Sequence, residues 1–376
     1  MKPSAAKTQD AIIVGAGVIG LATALELLRQ GARVSILERN RTGAESSWAG
    51  GGILSPICPW DYTDVLTQLT LYSASLFSEW TASLRNTTGI DPEYWQCGMS
   101  ILSPMNQKHA LNWCERNAVE IQQQTLSIPY SDNTNPETTS RNQTHDEVRA
   151  LFLPGVAQIR NPRLMQALHQ RVKQLGGQIH ENCSVTSWTA RKNKIVSVQS
   201  SCGSFAAENY IIAAGAWSKQ VLGEFALNLD IHPINGQMLL FKFEQPPLPM
   251  IVVKENFYLI PRRDGHLLVG STLEDTGFHK QTTQSVKAQL IENAQRILPQ
   301  LGNMPVIRQW SGLRPGSPLN IPTIGRHPGL FNLYINSGHF RYGVTMAPAS
   351  AEILVNEMTG SKQPLDTDPY QTGWSG

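Results

Sequence analysis

The apolar, glycine-punctuated run near the N-terminus constrains the fold of this chain more than any other stretch. Residues 11–14 are apolar and β-type, and Gly15, Gly17 and Gly20 follow in the spacing G-x-G-x-x-G. A helix-type segment comes next, and then a second β-type run that ends at Glu38. This order predicts the first βαβ unit of a dinucleotide-binding domain. The glycines would bring backbone N–H groups and the helix N-terminus to a pyrophosphate, and the acid would accept hydrogen bonds from a ribose.

Two other interpretations of this stretch are open. One is a βαβ unit with the same glycines and no ligand. The other is a secretory signal peptide, because lysines precede an apolar run. Asp10 before the run, Glu26 within the segment and the lack of a small-residue cleavage site argue against a signal peptide.

Length and composition narrow the class of protein. A chain of 376 residues is too long for one simple core, so we expect two domains. The formal net charge is +2 and no basic run stands out, which argues against a nucleic-acid partner. Outside the glycine-rich run no apolar segment is long enough to span a bilayer, so we expect no stable membrane insertion.

The cysteines give no sign of a disulfide frame or a metal site. There are five, an odd number, and they are scattered along the chain without a C-x-x-C spacing. We interpret them as reduced thiols of a cytoplasmic protein and predict no metal site.

Periodicity along the chain predicts a mixture of helices and strands. Helices are expected at 61–85, 108–123, 161–175, 283–298 and 345–358, with Pro348 tolerated only in the first turn of the last one. Strands are expected at 96–102, 150–156, 178–188, 231–243, 251–261, 266–271 and 333–336, and a hairpin-like pair at 194–201 and 204–212. The polar segment 130–147 is expected to be a solvated loop.

Two further stretches indicate close approach to a ligand. In residues 46–55 three consecutive glycines stand beside serines, which suits backbone running against a flat or phosphorylated group. A flexible loop is the alternative for this stretch. The strand that ends at Ile212 is followed by small residues, as at the carboxyl edge of a sheet where a ligand passes.

Together these pieces resemble the D-amino-acid oxidase superfamily of FAD enzymes, and most closely its glycine oxidase branch, which serves thiamine (thiazole) synthesis. The motifs that carry the resemblance are residues 15–20 with Glu38, 46–54, 213–218, 258–262, 312–316, 322–325 and 338–343. The resemblance covers almost the whole chain and is weakest from 107 to 147. It implies an α/β Rossmann-like FAD-binding domain with a second, antiparallel-sheet substrate domain. The expected FAD-binding domain is 1–88, 151–229 and 310–376, and the substrate domain 89–150 and 230–309.

The resemblance implies FAD as the dinucleotide, held without a covalent bond because no cysteine follows Cys202. The helix that is expected to start after Val344 would direct N–H groups at the reduced flavin ring. The implied cofactor-binding residues are Gly15, Gly17, Val18, Ile19, Gly20, Glu38, Arg39, Ser46, Ser47, Gly51, Gly52, Ile53, Val185, Ala214, Gly215, His339, Phe340, Arg341, Tyr342, Gly343, Val344 and Thr345.

The resemblance also implies a substrate site for a small amino acid. Arg314 matches the arginine that anchors the substrate carboxylate, Arg341 a second substrate-side position, and Tyr258 a tyrosine that hydrogen-bonds the substrate. Without the motifs, each arginine would be read as a surface ion-pair member and Tyr258 as a half-buried strand residue. His339 is expected to act through its backbone. Leu273 stands where glycine oxidases often carry methionine, so glycine, sarcosine, D-alanine and D-proline are all open as substrates.

The implied reaction is hydride transfer from the substrate Cα to flavin N5, with no catalytic acid–base pair in the protein. An imine leaves and hydrolyses to a 2-oxo acid and ammonia, and molecular oxygen takes the electrons to give hydrogen peroxide. One alternative is a dehydrogenase of the same superfamily that passes electrons to a quinone. Another is a non-catalytic flavoprotein. The family also suggests a homo-oligomer, a tetramer.

Overall fold

The computed structural model describes residues 9–104, 106–128 and 146–374. The helices are α1 (Val18–Arg29), α2 (Ser46–Ala49), α3 (Asp64–Thr88), α4 (Gln107–Arg116), α5 (Asn161–Gln174), α6 (Ser218–Leu222), α7 (Gln284–Gln295) and α8 (Gly343–Thr359). The strands are β1 (Gln9–Val14), β2 (Val34–Leu37), β3 (Trp95–Gln96), β4 (Met99–Leu102), β5 (Gln122–Ile128), β6 (Asp146–Leu153), β7 (Ala157–Gln158), β8 (Gln178–His180), β9 (Val185–Arg191), β10 (Lys194–Ser200), β11 (Gly203–Phe205), β12 (Ala207–Ile212), β13 (His232–Lys242), β14 (Ile251–Lys254), β15 (Phe257–Pro261), β16 (His266–Gly270), β17 (Arg308–Gly316), β18 (Thr323–Arg326) and β19 (Leu333–Ser337).

The first large sheet has the strand order β18-β19-β12-β1-β2-β8 and is parallel except for β18. Helices α1, α3, α5 and α8 share one core on one of its faces. A three-stranded sheet, β11-β10-β9, and α6 cover the other face. Ile12 and Ile13 point to opposite faces and both are fully buried. Burial on both faces explains why residues 11–14 are continuously apolar rather than alternating.

The second large sheet has the order β17-β13-β16-β15-β14-β4-β6-β5. Its strands pair antiparallel except for β14 and β4, which are parallel. Helix α7 packs on one face with Leu239 and Phe241. The opposite face carries Met238, Tyr258 and Ile260. Two sheets of these types confirm the expected architecture of a Rossmann-like unit with an antiparallel-sheet unit.

Backbone turns at single residues divide several of the predicted elements. The strand expected at 96–102 is broken at Gly98, the one at 178–188 at Asn182, and the one at 251–261 at Glu255, each with φ between 54° and 76°. The helix expected at 108–123 ends at Arg116, because Ala118 has φ 52°, and a strand starts at Gln122. At Ala118 and Glu255 the left-handed conformation ends a helix or strand without a distinctive residue type in the sequence.

Two other expectations on the local structure were wrong. The segments 194–201 and 204–212 do not pair with each other along their length: β10 lies between β9 and β11, whereas β12 enters the first large sheet between β1 and β19. The last helix starts at Gly343, so Pro348 lies in its second turn, not its first. Residues 308–316, for which no element was predicted, form the strand β17. Residues 130–145 of the predicted polar loop lie outside the described residues, and its last two residues belong to β6.

Two strands cross the expected domain boundaries. Strand β6 runs across the boundary at 150/151, and β17 across the one at 309/310. Both belong to the second large sheet. The C-terminal end of β17 and the carboxyl edge of the first sheet bound the same cavity, so this crossing strand brings the two units to one site.

Candidate functional site

Side-chain hydrogen bonds fix the turn between β1 and α1 at the edge of the first sheet. Gly15 has φ +108°, a conformation that favours glycine. The buried carboxylate of Glu38 accepts hydrogen bonds from the Ala16 N–H at 2.8 Å and the Asn40 N–H at 2.9 Å. The Ser47 hydroxyl accepts the Val18 N–H at 2.9 Å. These bonds fix the first turn of α1 against the ends of β2 and α2.

Gly20 stands apart from the other glycines of the motif because it does not line the cavity. A Cβ at Gly20 would overlap the carbonyl group of Gly15. Gly20 therefore permits the close approach of α1 to the turn, as the spacing predicts, without lying beside a ligand.

Arg262 fixes the glycine-rich segment after α2. Its guanidinium is 4% exposed, and it donates to the Gly51 carbonyl at 2.8 Å, the Ile159 carbonyl at 2.9 Å and Gln158 Oε1 at 2.6 Å. Burial lowers the pKa of Arg262 to about 10. The opposite side of the segment is also tight, because a Cβ at Gly51 would lie 2.6 Å from Ile260 Cδ1. The alternative of a flexible loop is therefore wrong for this segment.

One continuous cavity runs from the β1–α1 turn to Arg314 on β17. It collects side chains and backbone from both large sheets, from α2 and from the start of α8. Apart from Gly20, every residue expected to bind the cofactor or substrate lines it: Gly15, Gly17, Val18, Ile19, Glu38, Arg39, Ser46, Ser47, Gly51, Gly52, Ile53, Val185, Ala214, Gly215, Tyr258, Arg314, His339, Phe340, Arg341, Tyr342, Gly343, Val344 and Thr345.

Two buried polar side chains on the cavity wall have no partner within the described part of the chain. Asn161, at the first position of α5, is 1% exposed and neither atom of its amide is hydrogen-bonded. His339 is also 1% exposed, and its Nε2 is unpartnered. Buried polar groups without partners are rare and unfavourable. The Asn161 amide and His339 Nε2 therefore fit contacts to a bound molecule. With the glycine turn and the N-terminus of α8, they make a cavity that fits a flavin dinucleotide.

Sequence reasoning missed Asn161 as part of this wall and Arg262 as the residue that holds the glycine segment of the wall. Asn161 was recognised only as the start of a helix, and Arg262 only as the end of a motif. The available signals were an asparagine before a proline and a charge directly after an apolar strand. Neither pattern is specific, because both residue types are common at such positions on the surface.

Burial also decides the charge of His339. It lowers the pKa of this imidazole to about 3, so His339 is neutral across the usual assay range. A neutral ring does not change its charge during turnover near neutral pH.

The pKa of His339 predicts a loss of stability in acid. The unfolded state binds a proton below pH 6.5, and the folded state does not until about pH 3, so stability falls as the pH drops. Between pH 7 and pH 5 His339 should account for a decrease of about 2 kcal/mol in the free energy of unfolding. We expect His339→Gln to lessen the dependence on pH by this amount in denaturant unfolding with excess FAD. Equal pH dependences for His339→Gln and the unaltered protein would contradict this prediction.

Arg314 lies at the other end of the cavity. Its Nη2 donates to Ser271 Oγ at 2.8 Å and its Nη1 to the Thr272 carbonyl at 3.1 Å. A Cβ at Gly236 would overlap the guanidinium, so this glycine on β13 makes the room for it. Burial lowers the pKa of Arg314, the nearby Tyr258 hydroxyl opposes this shift, and the charge of Arg341 adds to it.

Arg341 and Tyr258 reach the same region. Arg341 donates from Nη1 to Asn256 Oδ1 at 3.1 Å. Tyr258 is buried, and its hydroxyl lies beside Arg314. Within residues 9–104, 106–128 and 146–374, neither arginine forms an ion pair with a carboxylate. Two guanidinium groups without an acidic partner on one cavity wall make a site for a small anion.

Leu273 does not lie on the cavity wall. Its side chain is 44% exposed, whereas Ser271, two residues earlier, lines the cavity and bonds to Arg314. The Leu273 side chain therefore does not itself set the size of the pocket.

The N-terminus of α8 lines the same cavity as Arg314. The helix starts at Gly343, and Thr345 in its first turn donates from its hydroxyl to the Ile53 carbonyl at 3.1 Å. The Tyr342 hydroxyl is hydrogen-bonded to the Tyr62 hydroxyl, and burial raises the pKa of Tyr342. The first N–H groups of the helix are oriented to stabilise negative charge in the cavity.

The described residues were also compared with the patterns of a metal site and of a membrane-spanning helix. In the part of the chain that the structure describes, no cluster of three His, Cys, Asp or Glu side chains is arranged to hold a metal ion. No described helix is both long and apolar enough to cross a bilayer.

Comparisons with known proteins agree with this geometry. The model of the FAD dependent oxidoreductase (DAO) family matches residues 10–357. Glycine oxidase of Pseudomonas aeruginosa is 39% identical over 364 residues, which cover 96% of this chain and 98% of that protein. The bifunctional protein ThiO/ThiG of Trichormus variabilis is 32% identical over 94% of this chain and 53% of its own length. The crystal structure of glycine oxidase from Geobacillus kaustophilus superposes with a TM-score of 0.87 at 24% identity, covering 96% of this chain and 97% of that one.

Proposed function

This chain belongs to the FAD-dependent oxidoreductase family, and we propose that it oxidises glycine and related small amines such as sarcosine and small D-amino acids. Its cofactor is FAD. The observation that carries the proposal is the pair Arg314 and Arg341, which line the same cavity as the glycine turn and have no acidic partner among the described residues. A cofactor site and an anion site in one cavity suit an amino-acid substrate.

We assign the ends of the cavity to different parts of FAD. Glu38, Arg39 and Val185 would hold the adenosine, and the first turn of α1 with Ser46 and Ser47 would hold the pyrophosphate. The segment 51–53 and residues 339–345 would lie along the ring system. We further propose that the substrate unit comprises the second large sheet, including all of β6 and β17.

Arg314 would bind the substrate carboxylate through its planar pair of donors and thereby orient the α-carbon. Tyr258 would hydrogen-bond the same carboxylate, and Arg341 would supply a second positive charge at the mouth. When bound, FAD supplies the acceptor for the hydride from Cα and returns the electrons to oxygen as hydrogen peroxide. Hydrolysis of the released imine gives a 2-oxo acid and ammonia, or an amine. The neutral His339 takes no proton in this scheme.

We place this activity in the supply of the thiamine thiazole. The relatives named glycine oxidase and ThiO/ThiG support this assignment. The preferred substrate among glycine, sarcosine and D-alanine is a matter for measurement, because the cavity wall near Arg314 offers the same carboxylate contacts to each.

The test is the visible spectrum of the purified protein under anaerobic conditions, with glycine, sarcosine and D-alanine added in turn. We expect glycine to bleach the oxidised-flavin band, and air to restore it with formation of peroxide. Bleaching by sarcosine or D-alanine but not by glycine would support amine oxidation and show that glycine is not the substrate. A bound flavin that none of these amines reduces would favour the non-catalytic flavoprotein.

The electron acceptor is tested in the same preparation. Enzyme reduced by substrate is mixed with oxygen or with a soluble quinone, and the return of the oxidised band is followed. We expect fast reoxidation by oxygen. Reoxidation by quinone with little reaction toward oxygen would identify the protein as a dehydrogenase.

A further inference from the structure

Two cysteines meet at the adenosine end of the cavity. Cys183 precedes β9, lines the cavity and is 1% exposed. Cys202 lies in the turn between β10 and β11 and is exposed. Both are free thiols. The proposed reaction uses neither, and a separation of 19 residues gives no pairing signal in the sequence.

The strand register places the two cysteines opposite each other. Strands β9 and β10 are antiparallel, and Ser200 is the partner of Val185. One step further, the Ser201 N–H donates to the Ser184 carbonyl at 2.9 Å. Continued two steps beyond the ends of both strands, this register would bring Cys202 opposite Cys183. Directly opposite residues of antiparallel strands have Cβ atoms about 4.5–5.5 Å apart, close to the range that disulfides bridge.

The hydrogen bonds at the turn confirm that the two thiols are neighbours. Cys183 Sγ lies 3.2 Å from Ser200 Oγ, and the same oxygen accepts the Cys202 N–H at 3.1 Å. Cys202 Sγ lies 3.8 Å from the carbonyl of Asn182, the residue before Cys183. Burial raises the pKa of the Cys183 thiol, and contact with the Cys202 side chain adds to the shift.

We propose that Cys183 and Cys202 form a reversible disulfide when the protein is exposed to hydrogen peroxide. The exposed Cys202 sulfur attacks peroxide to give a sulfenic acid and water. The Cys183 sulfur then displaces the sulfenic hydroxyl as a second water and closes the S–S bond. Two thiols lose two hydrogens and two electrons, and peroxide is reduced to water. Peroxide as a product of this enzyme rests on the proposed function, but peroxide from any source would serve.

The disulfide would tie the turn at Cys202 to the wall that holds the cofactor. The Cys183 N–H donates to the Glu38 carbonyl at 2.8 Å, and the Asn182 N–H to the Asn40 carbonyl at 2.9 Å. The segment before β9 is therefore bonded to the end of β2, where the carboxylate of Glu38 lies. A crosslink at this place opposes local opening of the wall. We expect the oxidised holoenzyme to release FAD more slowly than the reduced one, by about threefold or more.

The experiment treats the holoenzyme with a few equivalents of hydrogen peroxide in the absence of substrate. Remaining thiols are alkylated, and a digest without reductant is analysed by mass spectrometry. We expect a peptide pair linked through Cys183 and Cys202 that dithiothreitol separates. Cys202→Ser should abolish the link, and Cys97→Ser, a change at a free thiol in the connection between β3 and β4, should preserve it.

Three results would overturn the proposal. They are sulfinic acid at Cys202 without a link, a link between two protein molecules through Cys202, and a correct link that leaves FAD release unchanged. A parallel sample receives glycine and air, with and without catalase, instead of added peroxide. A link that forms with added peroxide but not in the sample with glycine and air would refute the formation of peroxide from glycine and leave the disulfide proposal intact.

Discussion

Replacing Arg314 by alanine should lower kcat/KM for glycine by about 10³-fold while the protein keeps its FAD. The physical reason is the loss of a partly buried guanidinium that has no acidic partner among the described residues and faces the cavity. Removing one member of a buried, hydrogen-bonded charge pair costs about 4 kcal/mol, which corresponds to this factor. The measurement is steady-state oxidation of glycine with the flavin content determined on the same samples.

Two further variants sharpen this prediction. Arg314→Lys retains the charge but loses the planar pair of donors and the bond to Ser271, so we expect a smaller decrease, about 10- to 100-fold. Arg308→Ala is the matched control, because Arg308 lies on the same strand with its guanidinium over the Trp48 ring, 4.6 Å from the centroid. An alanine variant at 314 that stays within about threefold of the unaltered enzyme would remove Arg314 from the substrate site.

The second large effect is expected at Arg262, on stability and flavin retention together. Arg262→Leu leaves the Gly51 and Ile159 carbonyls and the Gln158 side chain without their buried donor. The loss of such a group costs about 3–5 kcal/mol, so we expect a fall of that size in the free energy of unfolding. Because segment 50–52 lines the cavity, we also expect the purified variant to contain much less FAD. Urea unfolding with FAD in excess, together with the flavin-to-protein ratio, checks both parts.

The neighbouring Arg263 provides the control for this experiment. Its side chain is exposed and lies over the Trp95 ring at 5.3 Å, so Arg263→Ala should change neither stability nor flavin content appreciably. Arg262→Lys should be intermediate, since an ammonium group cannot reach all three acceptors in the same geometry. Full flavin content and a change of less than about 1 kcal/mol in Arg262→Leu would show that the segment is held by its other contacts.

Local sequence patterns predicted the structure correctly where the residues that interact lie within one short stretch of the chain. The β1–α1–β2 unit was predicted with its glycines and Glu38, because turn, helix packing and strand burial all act within 30 residues of chain. Helix α5 was predicted for the same reason, from an Asn-Pro start and a glycine pair at its end. The motifs around Arg314 and His339 carried the family resemblance, and through it the residues that line one cavity.

Local patterns failed where pairing or conformation depends on distant chain. Residues 207–212 look like the second half of a hairpin, but their apolar side chains fill a gap between β1 and β19. Ala118, Asn182 and Glu255 adopt positive φ although their residue types do not require it. In each case the surrounding packing outweighs a local preference of about 1 kcal/mol.

The sequence by itself therefore determined the class of fold, the cofactor expected through the family and most of the residues of the cavity. Only the tertiary structure decided which polar groups are buried there and what they contact. Arg262 meets Gly51, Gly236 makes room for Arg314, and the side chain of Cys183 lies beside that of Cys202. The physical reason is that burial and hydrogen bonding are properties of the assembled chain. A residue's charge, partner and exposure are set by groups that lie far away in sequence and close in space.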